Sequence, residues 1–273
     1  MTIATTVRTG TTRTGLYHEL RGSGKAVLLI SGATGDAGHF TRTAEQLADE
    51  FTVITYDRRG NSRSRTSGDA DAIARMSAQA DDAAAIINDC GFDQAVVFGT
   101  SGGAVVALEL LARQPRLVKG AALHEPPLLA LLPPQPGPDP LDPLASILTL
   151  ARTDPRAALE AFVKLNSSAS AWAAIDPATR DRMLGNAVTL FAHEFEEFVT
   201  YRPDEDRLRM VGVPVALLRS RDGLPFEPEV LARLEPLLGV RASILSGHHA
   251  PYLDTPEVFA EELRPILRTL WRP

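Results

Sequence analysis

Six short runs rich in Val, Ile and Leu recur along the chain, with helical patterns between several of them, and this alternation limits the fold more than any other feature. The runs are "AVLLI" (26–30), "FTVITYD" (51–57), "AVVFG" (95–99), "VKGAALH" (118–124), "VPVALLR" (213–219) and "VRASIL" (240–245). Each reads as a strand buried on both faces. "TRTAEQLADE" (41–50) precedes the second run, "AIARMSAQADDAAAIINDC" (72–90) precedes the third and stops at Gly91, and "GAVVALELLARQP" (103–115) precedes the fourth. Strand and helix in alternation predict an α/β fold, a mostly parallel central sheet with helices on both faces. The chain closes on "PEVFAEELRPILRTLW" (256–271), a proline-started amphipathic helix expected to pack against that sheet.

The alternation fails between about 126 and 211. A proline-dense stretch, "PPLLALLPPQPGPDPLDP" (126–143), is followed by segments of helical pattern with no strand candidate. The expected organisation is therefore a core domain from 1–125 and 212–273, interrupted by a helical cap at 126–211. An insertion that leaves the sheet after one strand and returns at the next is placed to cover the carboxyl ends of the strands, where open α/β sheets bind ligands.

With 273 residues, 44% hydrophobic and 23% charged, the chain can bury one large core. Its net charge of −6 argues against nucleic-acid or anionic-membrane partners, which require a clustered positive field. A single cysteine, Cys90, forms no internal disulfide. No run approaches the roughly 18 apolar residues of a membrane span, so a soluble cytoplasmic protein is expected.

The third apolar run climbs into Gly99, Thr100, Ser101, Gly102 and Gly103 and continues at once as a helix. A serine hydroxyl attacks at neutral pH only with a base to take its proton, a group to orient that base, and N–H donors for the oxyanion. A sharp strand-to-helix corner with glycines on either side holds Ser101 out as a nucleophile, with the Gly102 N–H at the helix start as one oxyanion donor.

Here the chain resembles the α/β-hydrolase superfamily, in its capped, serine-nucleophile branch of esterases, lactonases and haloperoxidases. The resemblance implies the order serine, acid, histidine. "ILSGHHAPYLDTPEVFAEEL" (244–263) resembles the closing pattern of the family, in which the histidine precedes the helix-opening proline by seven residues; His249 has that spacing to Pro256, and His248 misses it by one. "VPVALLRSRDGLPFEPEV" (213–230) resembles the family's strand, loop and acid, which makes Asp222 the expected acid, with Ser220 where glycine is common. Glu125, in "AALHEPP", is the alternative, since some members carry the acid at the end of that earlier strand. "LLISGATGDAGHF" (28–40) is similar to the family's His-Gly motif with Ser31 in place of histidine, which implies the Ala33 N–H as second oxyanion donor. In "YDRRGNSRSR" (56–65), Asp57 and Arg59 are expected to fix a loop rather than do chemistry.

The rivals explain less. Gly32, Gly35 and Gly38 followed by Asp57 resemble the NADP-binding loop of short-chain dehydrogenases, yet no tyrosine has a lysine four residues later. His193 and Glu194 lack the second histidine of a zinc-binding H-E-x-x-H. A non-catalytic hydrolase-fold binding protein is the alternative of another class. The expected function is hydrolysis of an ester or lactone of a hydrophobic small molecule through an acyl-enzyme, with no cofactor or metal. Cofactor-free perhydrolase (haloperoxidase) or carbon–carbon bond hydrolase activity is the alternative on the same triad.

Overall fold

The computed structural model describes residues 6–64, 70–133 and 139–272. Residues 134–138 of the proline-dense stretch lie outside them. Eight strands form one sheet in the order β1-β2-β4-β3-β5-β6-β7-β8. The six anticipated strands are β3 (Lys25–Ile30), β4 (Phe51–Tyr56), β5 (Ala95–Thr100), β6 (Val118–His124), β7 (Val215–Asp222) and β8 (Ala242–His248), and neighbours among them pair in parallel. Burying both faces explains their continuous apolar character: β4 and β5 are buried at every residue.

Two strands had no signal of this kind. β1 (Val7–Thr11) and β2 (Tyr17–Arg21) pair antiparallel on the β4 side of the sheet. The β2 sequence, Tyr-His-Glu-Leu-Arg, is polar yet mostly buried, and Glu19 is neutralised there by Arg21 at 2.8 Å and Arg63 at 3.1 Å. The helices at Met76–Asp89 and Gly102–Arg113 pack on one another, as do those at Thr41–Leu47 and Pro256–Leu270, giving two helical layers against the sheet.

Between β6 and β7 every described regular element is helical, and the 126–211 segment joins the main hydrophobic core through Leu159, Trp172, Met183, Leu190 and Phe198. A π-helical turn, Leu190–Glu194, runs directly into the Phe195–Thr200 helix. Among the described residues no helix is long and apolar enough to cross a membrane. Register then assembles the chemistry: Ile30 pairs with Gly99, and Thr100 with His124. The chain leaving β3, β5 and β6 therefore places Ser31, Ser101 and Glu125 along the same carboxyl edge of the sheet.

Candidate active site

Ser101 is the corner between β5 and the Gly102–Arg113 helix, with φ 53° and ψ −128°. This left-handed conformation costs a non-glycine residue on the order of 1–3 kcal/mol, and packing on both sides enforces it. A Cβ on Gly99 would lie 2.3 Å from the Gly103 carbonyl oxygen, and one on Gly103 would lie 2.2 Å from that of Ile30. The corner is tied down by Ser101 N–H donating to the His124 carbonyl at 2.9 Å and Ala104 N–H donating to the Ser101 carbonyl at 2.8 Å.

His249 is buried, with Nδ1 2.5 Å from Oε2 of Glu125. That contact leaves the other ring nitrogen for the cavity that His249 lines together with Ser101 and Ala33. His248 faces away: its side chain is exposed and its nearest carboxylate is Asp254 at 3.6 Å.

Of the two carboxylates weighed in the sequence, Glu125 and not Asp222 meets His249. Asp222 stands exposed at the end of β7, paired in register with His248, whereas Glu125 reaches the His249 ring. The reason is spatial. Glu125 leaves β6 with φ 47°, a left-handed turn that aims its side chain across the end of β7, where Oε1 accepts the Ser220 N–H at 2.7 Å. Its carboxylate fills the space beside Gly223, so that a Cβ on Gly223 would fall 2.1 Å from Oε1. The extra methylene of glutamate supplies the reach. Burial opposes ionisation of Glu125, but the imidazoles of His124 and His249 and the Ser220 N–H outweigh it, holding this carboxyl below the usual carboxylate range.

Two buried groups around Glu125 carried no motif. His124, fully buried, bridges Thr100 Oγ1 (2.9 Å from Nδ1) and Ser220 Oγ (3.0 Å from Nε2), and its ring stacks 6.1 Å from that of His249. Burial lowers its pKa to about 4, so it is neutral near pH 7. Glu227, also buried, has no hydrogen-bond partner for either carboxyl oxygen among the described residues; burial and then the nearby Glu125 push its pKa well above normal.

The 31–33 loop lies across from Ser101, where a Cβ on Gly32 would come within 2.9 Å of the serine Cβ. Asp57 fixes the neighbouring loop as expected, accepting from Ala37 N–H at 2.7 Å and Arg63 N–H at 2.9 Å, and Arg59 pairs with Asp82 at 2.5 Å. Ser31, without a role in the sequence, gives its carbonyl to Arg58 Nε at 3.0 Å. Arg58 is the residue that sequence reasoning passed over. Fully buried, it pairs through both terminal nitrogens with Glu194 of the insertion.

Two narrow cavities meet at Ser101 and His249. One, about 30 Å³, is lined by Phe162, Leu190, Phe195, Phe198, Leu224 and Phe226 among others. The other, about 20 Å³, reaches towards Thr34, His39, Asn166 and Tyr252. His39 donates to or accepts from Thr34 Oγ1 at 2.9 Å, and burial holds its pKa down at about 4.

Residues 25–186 match the model of the alpha/beta hydrolase fold family. An uncharacterized hydrolase of Bacillus subtilis, YraK, is 29% identical over 259 residues, 92% of each chain. A putative carbamate hydrolase of Agrobacterium fabrum, RutD, is 34% identical over 92 residues, 34% of each chain. Among solved structures, the N-acyl homoserine lactonase AidH superposes with a TM-score of 0.75 at 21% identity, covering 99% of this chain and 98% of its own. An esterase from Thermogutta terrifontis does so with 0.73 at 22%, covering 98% and 100%. At those identities the superpositions speak to fold alone.

Proposed function

Because this chain belongs to the α/β-hydrolase family, a family of hydrolytic enzymes, we propose that it cleaves an ester or lactone of a hydrophobic small molecule through a serine acyl-enzyme. The observation that carries the reading is the Glu125–His249 contact at 2.5 Å, with Ser101 lining the same cavity as His249. Glu125 fixes the Nδ1–H tautomer, which leaves Nε2 to take the Ser101 proton as Oγ attacks the carbonyl. The tetrahedral oxyanion rests on the Ala33 and Gly102 N–H groups, and Glu125 stabilises the imidazolium. His249 gives its proton to the leaving oxygen. It then deprotonates the water that releases the acid, so the cycle needs no group beyond the chain and water.

The 126–211 insertion acts as the cap. It supplies most of the apolar lining around Ser101, which favours a hydrophobic acyl group. Cavities of about 20 and 30 Å³ have room for roughly one water each.

The test is intact mass after exposure to a fluorophosphonate. Wild type is expected to gain one phosphonyl group and Ser101→Ala none, and Ser101→Ala should lose about 10⁶-fold in kcat on p-nitrophenyl butyrate. His249→Ala should lose nearly as much and His248→Ala stay within about threefold, since His249 is buried with its Nδ1 hydrogen-bonded to Glu125 whereas His248 is exposed. Folded wild type that takes no label would turn the reading towards a binding protein.

A further inference from the structure

All five N–H groups of Arg58 are engaged: Nε with the Ser31 carbonyl at 3.0 Å, Nη2 with the Gly32 carbonyl at 2.9 Å and Glu194 Oε2 at 2.9 Å, and Nη1 with Gln79 Oε1 at 2.7 Å and Glu194 Oε1. None is left for a substrate. The Gly32 carbonyl, however, belongs to the same planar peptide unit as the Ala33 N–H, so whatever holds the oxygen also fixes where the N–H points. A cationic donor on that oxygen also polarises the peptide and strengthens the N–H at its other end.

The insertion reaches the second donor peptide as well. Phe198, four residues after Glu194, lies with its ring 5.3 Å from the Arg58 guanidinium carbon and so close over Gly102 that a Cβ there would be 2.6 Å away. One short stretch of the insertion thus holds the Gly32–Ala33 peptide through Arg58 and packs over Gly102.

We propose that Arg58, clamped by Glu194, is a positioning residue for the Ala33 oxyanion donor, so that the insertion sets the oxyanion hole of the enzyme as well as lining its pocket. This rests on the serine-hydrolase reading above. A buried ion pair is by itself weak evidence of a stabilising role, and a purely structural pair would be replaceable by apolar side chains of similar volume.

The experiment compares wild type, Arg58→Lys and the double variant Arg58→Met/Glu194→Met. Each is measured for kcat per fluorophosphonate-titrated serine, KM on p-nitrophenyl butyrate, inhibition by an alkyl trifluoromethyl ketone that forms a tetrahedral adduct, and melting temperature. Lysine keeps the charge but cannot span both carbonyls and the carboxylate. Both variants are expected to lose about 10²-fold in kcat, the scale of one misplaced oxyanion donor. Ketone affinity should fall in proportion while KM stays within about threefold. Should Arg58→Lys fail to fold, the double variant, which leaves no unpaired charge, carries the test. A folded double variant that keeps kcat within threefold of wild type overturns the proposal, as does a ketone affinity that falls only as much as KM rises. Wild type inert to ester and ketone alike would overturn the hydrolase reading together with this one, whereas active wild type beside equally active variants removes the positioning role alone.

Discussion

The ends of β6 and β7 lie side by side, and each presents a carboxylate, yet only one of them meets His249. Asp222 on β7 sits where a strand-loop-acid pattern leads one to look, and it is exposed. Glu125, just past β6, is fully buried, accepts the Ser220 N–H at 2.7 Å and touches His249 at 2.5 Å. The two strand ends interlock: Glu125, just past β6, provides the carboxylate, β7 provides the Ser220 N–H that holds it, and Gly223, just past β7, makes room for it. Which carboxylate meets His249 is therefore set by what converges on its oxygens, and its place along the chain is secondary.

That contrast can be broken experimentally. The largest effect is expected from Glu125→Gln, which should lower kcat by about 10⁴-fold by removing the charge that holds the imidazole tautomer. Asp222→Asn should stay within about twofold, and ester turnover of the two variants, measured together, decides between the strand ends. A smaller effect tests whether the vacancy at Gly223 is the reciprocal of Glu125. In a Glu125→Ala background, Gly223→Asp puts a carboxylate into the emptied space, and about a tenfold recovery of kcat is expected. No recovery at all would mean that the β7 end cannot orient an acid even when given one.

The smallest effect concerns Glu227, beside the same pair. A carboxyl whose pKa is raised in the folded state contributes its stability below the unfolded pKa and loses it as pH rises towards the folded value. Glu227→Gln does not titrate. Its melting temperature should match wild type near roughly pH 4 and exceed it by a few degrees near pH 8. A difference that stays constant across that range would show that Glu227 is ionised in the fold.

What could be read from the sequence was what local composition encodes. The six buried strands announced themselves because a strand covered on both faces must be apolar, and Ser101 because its corner excludes side chains at Gly99 and Gly103. His249 followed from spacing within its own segment. β1 and β2 were missed because their burial depends on pairing, with Glu19 satisfied by arginines rather than replaced by an aliphatic residue. Arg58 was missed because its partner, Glu194, comes 136 residues later in the chain. The Asp222 expectation rested on the same local view of the chain. The choice between it and Glu125 turns on a left-handed backbone at 125 and a missing Cβ at 223, two facts that meet only in space.

The place of Glu125 at the end of β6 also bears on how this pocket could be altered. In an enzyme whose acid follows β7, mutating the next loop endangers the proton relay. With Glu125 as the proposed acid, that loop contributes the missing Cβ of Gly223, while Leu224 and Phe226 line the cavity around Ser101. Libraries at those two positions can reshape the binding of a new compound and leave Glu125, the proposed acid, at the end of a separate strand.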